Sequence, residues 1–229
     1  MKTAPKMTEE KIYHVLRDAI VNADFPPGQQ LKENVLAEAF GVSRTPIRTV
    51  FQRLKYDSLI ELKPKRGAFV YCPTPAEAEQ IFSVRKMLEP QATELAAHYA
   101  TPAEIDRMYH FLEEEKNLMN DQLFHQSLVA TKNLHLSIIE ASRNSYLIEF
   151  LKKIITLSHI ILSFYDVSEH KEANAICEHD ELLEAIKNHQ PKAAKELAFK
   201  HIESIQNDID FSKEFTDPVS ITQIIHRYV

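Results

Sequence analysis

Glycine is almost missing from this chain. Of 229 residues only Gly28, Gly41 and Gly67 are glycine, and none lies in the 159 residues after position 70. A remainder of that length without the residue that most easily takes positive φ points to long helices joined by short turns. Cysteine is equally scarce. Cys72 and Cys177 stand far apart in sequence, which argues against a disulfide framework and suits a reducing cytosol. No stretch approaches 18 apolar residues, and Met1-Lys-Thr-Ala-Pro-Lys lacks the apolar core of a signal peptide. The expectation is a soluble, cytoplasmic protein with no membrane partner. There is no internal repeat and no low-complexity tract, and the length accommodates two domains of ordinary size.

Charge divides the chain. The formal net charge is −6, yet residues 1–70 carry 12 Lys/Arg against 8 Asp/Glu, which leaves 15 against 25 for residues 71–229. A basic segment on an acidic body suits contact with a polyanion through the first part only.

The stretch Leu36-Ala-Glu-Ala-Phe-Gly41-Val-Ser-Arg44-Thr45-Pro46-Ile-Arg48 reads as a helix, a tight turn and a second helix. Val35, Leu36, Ala39 and Phe40 give one apolar face, and Gly41 supplies the positive φ of a helix-ending turn. Ser43 is the next N-cap, and Pro46 sits in the first turn of the new helix, where a missing N–H costs little. Ile47, Val50, Phe51 and Leu54 form its buried stripe. Arg44, Thr45, Arg48 and Thr49 lie on the opposite side, where guanidinium forks can grip phosphates or guanine edges in the major groove of DNA. Upstream, Thr8 caps a first helix with Ile12, Val15, Leu16, Ala19 and Ile20 on one face, and Asp24-Phe-Pro-Pro-Gly28 ends it. The second helix is expected over Leu31–Phe40 and the third over Ser43 to about Asp57. Leu59–Lys63 and Ala68–Tyr71 then alternate as two short strands, with Pro64-Lys65-Arg66-Gly67 as the hairpin tip. This is a winged helix-turn-helix whose wing residues Lys65, Arg66 and Gly67 are candidates for the DNA backbone or minor groove.

With those residues in view, the first 70 positions resemble the GntR superfamily of bacterial transcription regulators. The resemblance is carried by Ile12-Tyr-x-x-Leu16, Pro27-Gly28-x-x-Leu31, Leu36-Ala37, Gly41-Val-Ser-Arg-Thr-Pro-Ile-Arg48, Leu54 and Arg66-Gly67-Ala-Phe-Val70. It implies a DNA-binding regulator that works as a dimer. Ala23 and Ser58 depart from the family's usual glycines and Lys32 from its usual capping Ser or Thr, each costing about 0.5–1 kcal/mol of local stability.

Beyond the Pro73-Thr-Pro75 linker, Thr74 is placed to cap a long helix with Ile81, Val84, Leu88, Ala92, Leu95 and Ala96 on its apolar face, ending near Thr101-Pro102. Helices to about Asn120, from about Asp121 to Ser142, from an Asn144 cap to Tyr165, over Lys171–Asn188 and over Pro191–Asp210 follow. The fold class is therefore mainly α, a winged helix-turn-helix with a small β-hairpin followed by an all-α antiparallel bundle. The boundaries are 1–72 for the DNA-binding domain, 73–76 for the linker, 77–214 for the bundle and 215–229 for a tail. In that tail, Ile221, Ile224, Ile225 and Val229 suit a short docking helix of unassigned partner.

Ten of the eleven histidines follow residue 70. His98, His110, His125, His159, His170, His189 and His226 read as surface or satisfied helix residues. His179 and His201 differ, because their midpoint falls at the Gln190-Pro191 break. In an antiparallel helix pair each lies ~15 Å from the turn at 1.5 Å per residue, so the two face each other at one level. His135 is a third candidate, and imidazoles converging from several helices are a usual way to hold zinc or nickel inside a bundle.

This part resembles the FCD ligand-binding domain of the FadR-type branch of GntR regulators. The resemblance is carried by Val84-Arg85-x-x-Leu88-Glu89, Ala96-Ala97, His135 with Asn144 and Leu147, and His179 with His201. It implies an Asp ligand one helical turn before the first histidine, and here that position is Thr131, a poor ligand. Asp121-Gln-Leu-Phe-His125 mimics the family's string but lacks the Asn nine residues on. Three arrangements fit: zinc or nickel on His135, His179 and His201 with Thr131 behind them; a metal-free effector pocket of Arg85, Thr131 and the histidines; or structural histidines. Arg85 reads either as the carboxylate clamp for an effector or as the ion-pair partner of Glu89. The functional expectation is a repressor that binds a palindromic operator in double-stranded DNA as a homodimer and answers to a small metabolite such as an organic acid. The alternative is a zinc-dependent hydrolytic enzyme on the three histidines, although H-E-x-x-H and G-x-S-x-G strings are absent.

Overall fold

The computed structural model describes residues 7–165, 169–212 and 219–229. The chain divides into two compact units, one of residues 1–73 with 214–229 and the other of residues 74–213.

The first unit is built as a three-helix head with a small sheet. Helix α1 (Glu9–Val21) starts at Thr8, whose hydroxyl accepts from the Lys11 amide, and it buries Ile12, Leu16, Ala19 and Ile20. Strand β1 (Gln30–Leu31) precedes α2 (Glu33–Phe40) and α3 (Arg44–Tyr56), and β2 (Ile60–Lys63) and β3 (Gly67–Val70) make the wing. The sheet is antiparallel in the order β1-β3-β2, with Leu31 opposite Ala68 and Leu62 opposite Ala68 on the other side. The two-residue β1 takes Leu31 out of the expected second helix. Strand pairing to β3 buries that side chain, and two residues are too few for any periodicity to reveal.

Ser43 is the N-cap of α3 by position, but its side chain makes no capping hydrogen bond, and Lys32 at the start of α2 makes none either. Gly41 has φ 65 and closes α2 with Val42 N–H on Ala37 O and Gly41 N–H on Glu38 O, the paired bonds of a Schellman end. Ala23 and Ser58 also sit at positive φ, 57 and 61, where the family resemblance implies glycine.

The tail returns to this unit rather than to the bundle. Helix α10 (Ile221–Tyr228) buries Ile221, Ile224 and Ile225 and packs on α2 and α1. Gln29, itself buried, holds its approach through both amide atoms, the nitrogen donating to Val219 O and the oxygen accepting from Val219 N–H, each at 3.0 Å. Tyr228 Oη and Arg227 both bond Asp24. Val229 stays exposed and is not part of the docking face.

The second unit is an antiparallel bundle of α4 (Pro75–Tyr99), α5 (Pro102–Asn120), α6 (Phe124–Ala141), α7 (Ser145–Phe164), α8 (Glu169–Lys187) and α9 (Pro191–Asn207). Thr74 with Glu77, and Thr101 with Glu104, form capping boxes, and Asn144 caps α7. Alanines on α4 (Ala92, Ala96, Ala97) and α9 (Ala194, Ala198) allow those two helices to pack closely, and Leu112, Leu134, Ile138, Leu182 and Ile186 fill the adjoining core. The turns between helices must reach positive φ without glycine. Gln122, Arg143 and His189 take that conformation instead, at φ 59, 60 and 52. The buried stripe of α4 is also rotated from the expected apolar one. It runs through Ala78, Phe82, Arg85, Glu89, Ala92, Thr93 and Ala96, while Val84 is exposed, because an ion pair and not a run of aliphatics faces the interior. Among the described residues no helix is long and apolar enough to cross a membrane.

Candidate functional site

Two sets of side chains stand out. In the head, Ser43, Arg44, Thr45, Arg48 and Thr49 are all exposed, on the side of α3 opposite its buried stripe of Ile47, Val50, Phe51 and Leu54. Arg48 Nε donates to Glu33 at 2.9 Å in a solvated pair, which exchanges at little cost for a phosphate or base edge. The wing residues Lys65, Arg66 and Gly67 are exposed at the hairpin tip, with Lys65 at φ 60.

In the bundle, His135 on α6, His179 on α8 and His201 on α9 are buried, at 2%, 0% and 1% exposure. Their Nε2 atoms converge. His179 Nε2 lies 3.0 Å from His201 Nε2, which lies 3.3 Å from His135 Nε2. Four ligands at a zinc–nitrogen distance of ~2.0 Å in a tetrahedron stand roughly 3.3 Å apart, so this spacing fits a metal ion among the three nitrogens. The pairing of His179 with His201 across the α8–α9 turn is the one expected from their equal distance to Gln190.

The opposite ring nitrogens face carboxylates. His135 Nδ1 is 2.6 Å from Glu89 Oε1, a close approach without the alignment of a hydrogen bond. His179 Nδ1 is 3.0 Å from Glu115 Oε2, and His201 Nδ1 is 2.7 Å from Glu178 Oε2. A carboxylate at Nδ1 draws the ring proton to that side and leaves the Nε2 lone pair free, the arrangement that orients histidine toward a metal. Lone pairs at 3.0 Å (His179 with His201) and 3.3 Å (His201 with His135) repel one another unless a cation or a shared proton lies among them. Burial pushes the His201 ring well below the usual histidine range, and the neighbouring His179, His135 and Arg85 push the same way. Burial likewise lowers His135, against the opposing pull of Glu89. Both rings are thus kept neutral, the state in which imidazole is a ligand.

Glu89 and Glu115 stay ionised, whereas burial, with Asp208 and Glu181 adding to it, raises the Glu178 carboxyl above its ordinary range. Burial favours the neutral acid of Glu89, but the Arg85 guanidinium and the His135 ring outweigh it and hold the carboxyl well below its ordinary range. Arg85 is 2% exposed; its Nε donates to Glu89 Oε2 at 2.6 Å and a terminal nitrogen donates to Ser158 Oγ at 3.2 Å. Of its two readings, the ion pair with Glu89 is the one this structure holds. Glu115 is lowered too, with burial opposed by His179 and Thr131. Thr131 Oγ1 is 2.5 Å from Glu115 Oε1 and is turned to that carboxylate. A small cavity of about 40 Å³, partly open to solvent, reaches this point and is lined by Glu115, Thr131, Glu178, His179 and Asp208 with apolar walls. A second, smaller space of about 10 Å³ also touches Thr131, together with Arg85, Lys132 and His135.

The remaining histidines divide as expected for satisfied or surface groups. His189 Nδ1 bonds Ala97 O at 2.8 Å, His159 is buried, and His98 is exposed. The side chains of His125 and His170 lie outside the described residues, as do residues 1–6. Sequence reasoning missed Glu115 and Glu178 altogether. Their only signal is acidity on helical faces, which is shared by many solvated glutamates in this half of the chain.

Comparison with known proteins adds two family matches. Residues 8–70 match the bacterial regulatory proteins of the gntR family, and residues 80–204 match the FCD domain. The chain is 28% identical over 192 residues to the HTH-type transcriptional regulator YdhC of Bacillus subtilis (strain 168), covering 83% of this chain and 86% of that one. It is 26% identical to the Uxu operon transcriptional regulator of Escherichia coli (strain K12), covering 92% and 90%. Among solved structures, a GntR transcriptional regulator from Rhodococcus sp. RHA1 shares the fold at a TM-score of 0.78 and 21% identity, covering 87% of this chain and 95% of that one. Escherichia coli McbR/YncC does so at 0.75 and 19%, covering 86% and 94%.

Proposed function

Because the chain belongs to the GntR family of bacterial transcription regulators and carries an FCD domain, we propose that it is a metal-dependent sensor that represses transcription from a palindromic operator as a homodimer. The observation that carries the sensing half is the convergence of three Nε2 atoms from three helices, each ring backed by a carboxylate. Zinc or nickel would be held by His135, His179 and His201, with Thr131 outside the coordination sphere. When bound, the metal would offer open coordination positions to a small metabolite such as an organic acid, beside the cavity that touches His179. Arg85 then supports Glu89 behind His135 instead of clamping the effector. Effector binding biases the packing of α6, α8 and α9, and the two heads respond in spacing or mobility.

The reading half rests on the exposed Arg44, Thr45, Arg48 and Thr49, with Lys65 and Arg66 on the flanking backbone or minor groove. One recognition helix buries too little surface for site-specific binding at cellular salt, so a second copy is required. Val84 and Met87 on α4, and Tyr146 and Phe150 on α7, are exposed apolar side chains on two helices packed together, and they suit cover by that copy. The two family matches and the relatives named as transcriptional regulators give no support to the hydrolytic alternative.

The experiment is selection of bound duplexes from a random library by the full-length protein, followed by salt-matched anisotropy titration of the selected site. Arg44→Ala and Arg48→Ala should each weaken binding by about 1–3 kcal/mol, roughly 5- to 150-fold, with thermal stability unchanged. Affinity equal to wild type in both variants would sink the recognition-helix assignment.

A further inference from the structure

The position that the family resemblance gives to an Asp ligand holds Thr131, whose hydroxyl cannot supply the missing negative charge. Its 2.5 Å contact is with Glu115, which comes from a different helix, α5, and is 4% exposed. Glu115 uses both oxygens: Oε1 accepts from Thr131 and Oε2 faces His179 Nδ1 at 3.0 Å. Its neighbour Lys116 is turned away to Glu113 and Asp180. Among the described residues, the contacts of this buried carboxylate are a hydroxyl and an imidazole, neither of which carries the full positive charge that a buried anion needs.

Among the described residues, the charges around the histidines show where a cation fits. Glu89 is offset by Arg85 beside it. Glu115 remains, a buried negative charge behind His179, whose Nε2 meets that of His201 at 3.0 Å, while Glu178 behind His201 is partly solvated. A cation at the meeting point offsets Glu115 through the His179 ring. The carboxylate that the Thr131 position no longer offers is therefore present, displaced by the width of one imidazole.

We propose that Glu115 is the relocated carboxylate of the metal site, a positioning residue that acts through His179 and Thr131 and leaves the metal three protein nitrogens with its remaining positions open. This rests on the metal reading above and deepens it. The loss of the anionic ligand from the coordination sphere is what frees a position for the effector, and Glu115 keeps the metal bound in spite of that loss. A three-nitrogen site favours ions content with low coordination number, zinc above those that demand six oxygen-rich ligands.

The test uses chelator-treated full-length protein titrated with Zn²⁺ and Co²⁺ against a chromophoric chelator, with the visible Co²⁺ spectrum as a second readout. Wild type should bind one ion per chain with the intense absorption of a four-coordinate site. Glu115→Gln should bind about 10- to 100-fold more weakly. The double variant Glu115→Gln/Thr131→Asp, which returns a carboxylate to the first position, should recover affinity and shift the Co²⁺ spectrum toward the weaker absorption of a higher-coordinate ion. Equal affinity of Glu115→Gln and wild type would overturn the proposal while leaving the metal reading intact. Failure of wild type to take up either ion would overturn both. Circular dichroism of the metal-free forms checks folding. If Glu115→Gln does not fold, Thr131→Val serves in its place, since it removes only the hydroxyl bonded to Glu115; a several-fold loss is the expected result and no change overturns the proposal.

Discussion

In the head, Arg44, Thr45, Arg48 and Thr49 stand in solvent on one helix, whereas in the bundle Arg85, His135, His179 and His201 are buried and each is tied to a carboxylate from another turn or another helix. The difference follows from what each region has to meet. DNA brings its own dense charge and displaces surface pairs such as Arg48 with Glu33 at small cost. A metal or small effector inside a bundle finds only the charges the protein has already arranged, so those charges must be fixed in advance and held against burial. A substitution in the first set should change binding and leave folding alone. One in the second set should change folding whether or not a ligand is present.

The sharpest way to break this comparison is Glu89→Ala. It leaves the Arg85 guanidinium buried beside His135 without its bidentate partner, and removal of one member of a buried pair costs about 3–5 kcal/mol. Chemical denaturation of the metal-free protein reads the loss directly. The double variant Arg85→Met/Glu89→Leu removes both charges and should cost far less than the single change. Equal cost in the two variants would mean that the pair matters through its shape and not its charge.

How much of this was legible in the sequence depends on how far apart the partners lie. The turn around Gly41, the stripe through Ile47 and Leu54, and the exposed arginines are contained in about twenty consecutive residues, and they were readable. His179 and His201 were readable too, because Pro191 marks the fold-back that makes their spacing meaningful. Glu115 was not. It is 64 residues from His179, and only the packing of α5 on α8 makes the two neighbours. The stripe of α4 misled for a related reason, since an apolar-periodicity search cannot expect Arg85 and Glu89 to face inward. Strand β1 was too short to carry a pattern. Helix α10 showed its amphipathic face in Ile221, Ile224 and Ile225, but nothing local said that α1 and α2 receive it.

That tail sharpens the comparison from the other side, because it makes part of the head's stability depend on residues far beyond the winged helix. Ile225 is 0% exposed in its docked helix. Ile225→Ala should cost about 2–4 kcal/mol, within the range for truncating a fully buried aliphatic side chain. Hydrogen exchange on the full chain should place the loss in α1, α2 and α10 and leave the α8–α9 amides as protected as before. A loss spread evenly over both units would mean that head and bundle unfold together, and the contrast between them would then hold for binding but not for stability.

The smallest expected effect tests the scarcity of glycine itself. Gly41, Ser58 and Gln122 end their helices with the same two bonds, Val42 to Ala37 with Gly41 to Glu38, Leu59 to Leu54 with Ser58 to Lys55, and Leu123 to Leu118 with Gln122 to Met119. All three residues have φ near 60, at 65, 61 and 59, so they differ only in the side chain carried in a left-handed conformation. A Cβ there costs about 1–2 kcal/mol, part of which glycine gives back through the greater freedom of its unfolded chain. Ser58→Gly in the head and Gln122→Gly in the bundle should therefore each stabilise their unit by roughly 0.5–1 kcal/mol. The gain should read as a higher denaturant midpoint at unchanged slope. His189, at φ 52, is a poorer test because its ring also bonds Ala97 O, so glycine there loses a contact as it relieves strain. A gain at Ser58 with none at Gln122 would mean that the bundle's turns compensate their strain locally, and a chain almost without glycine would then be less stressed than its backbone angles imply.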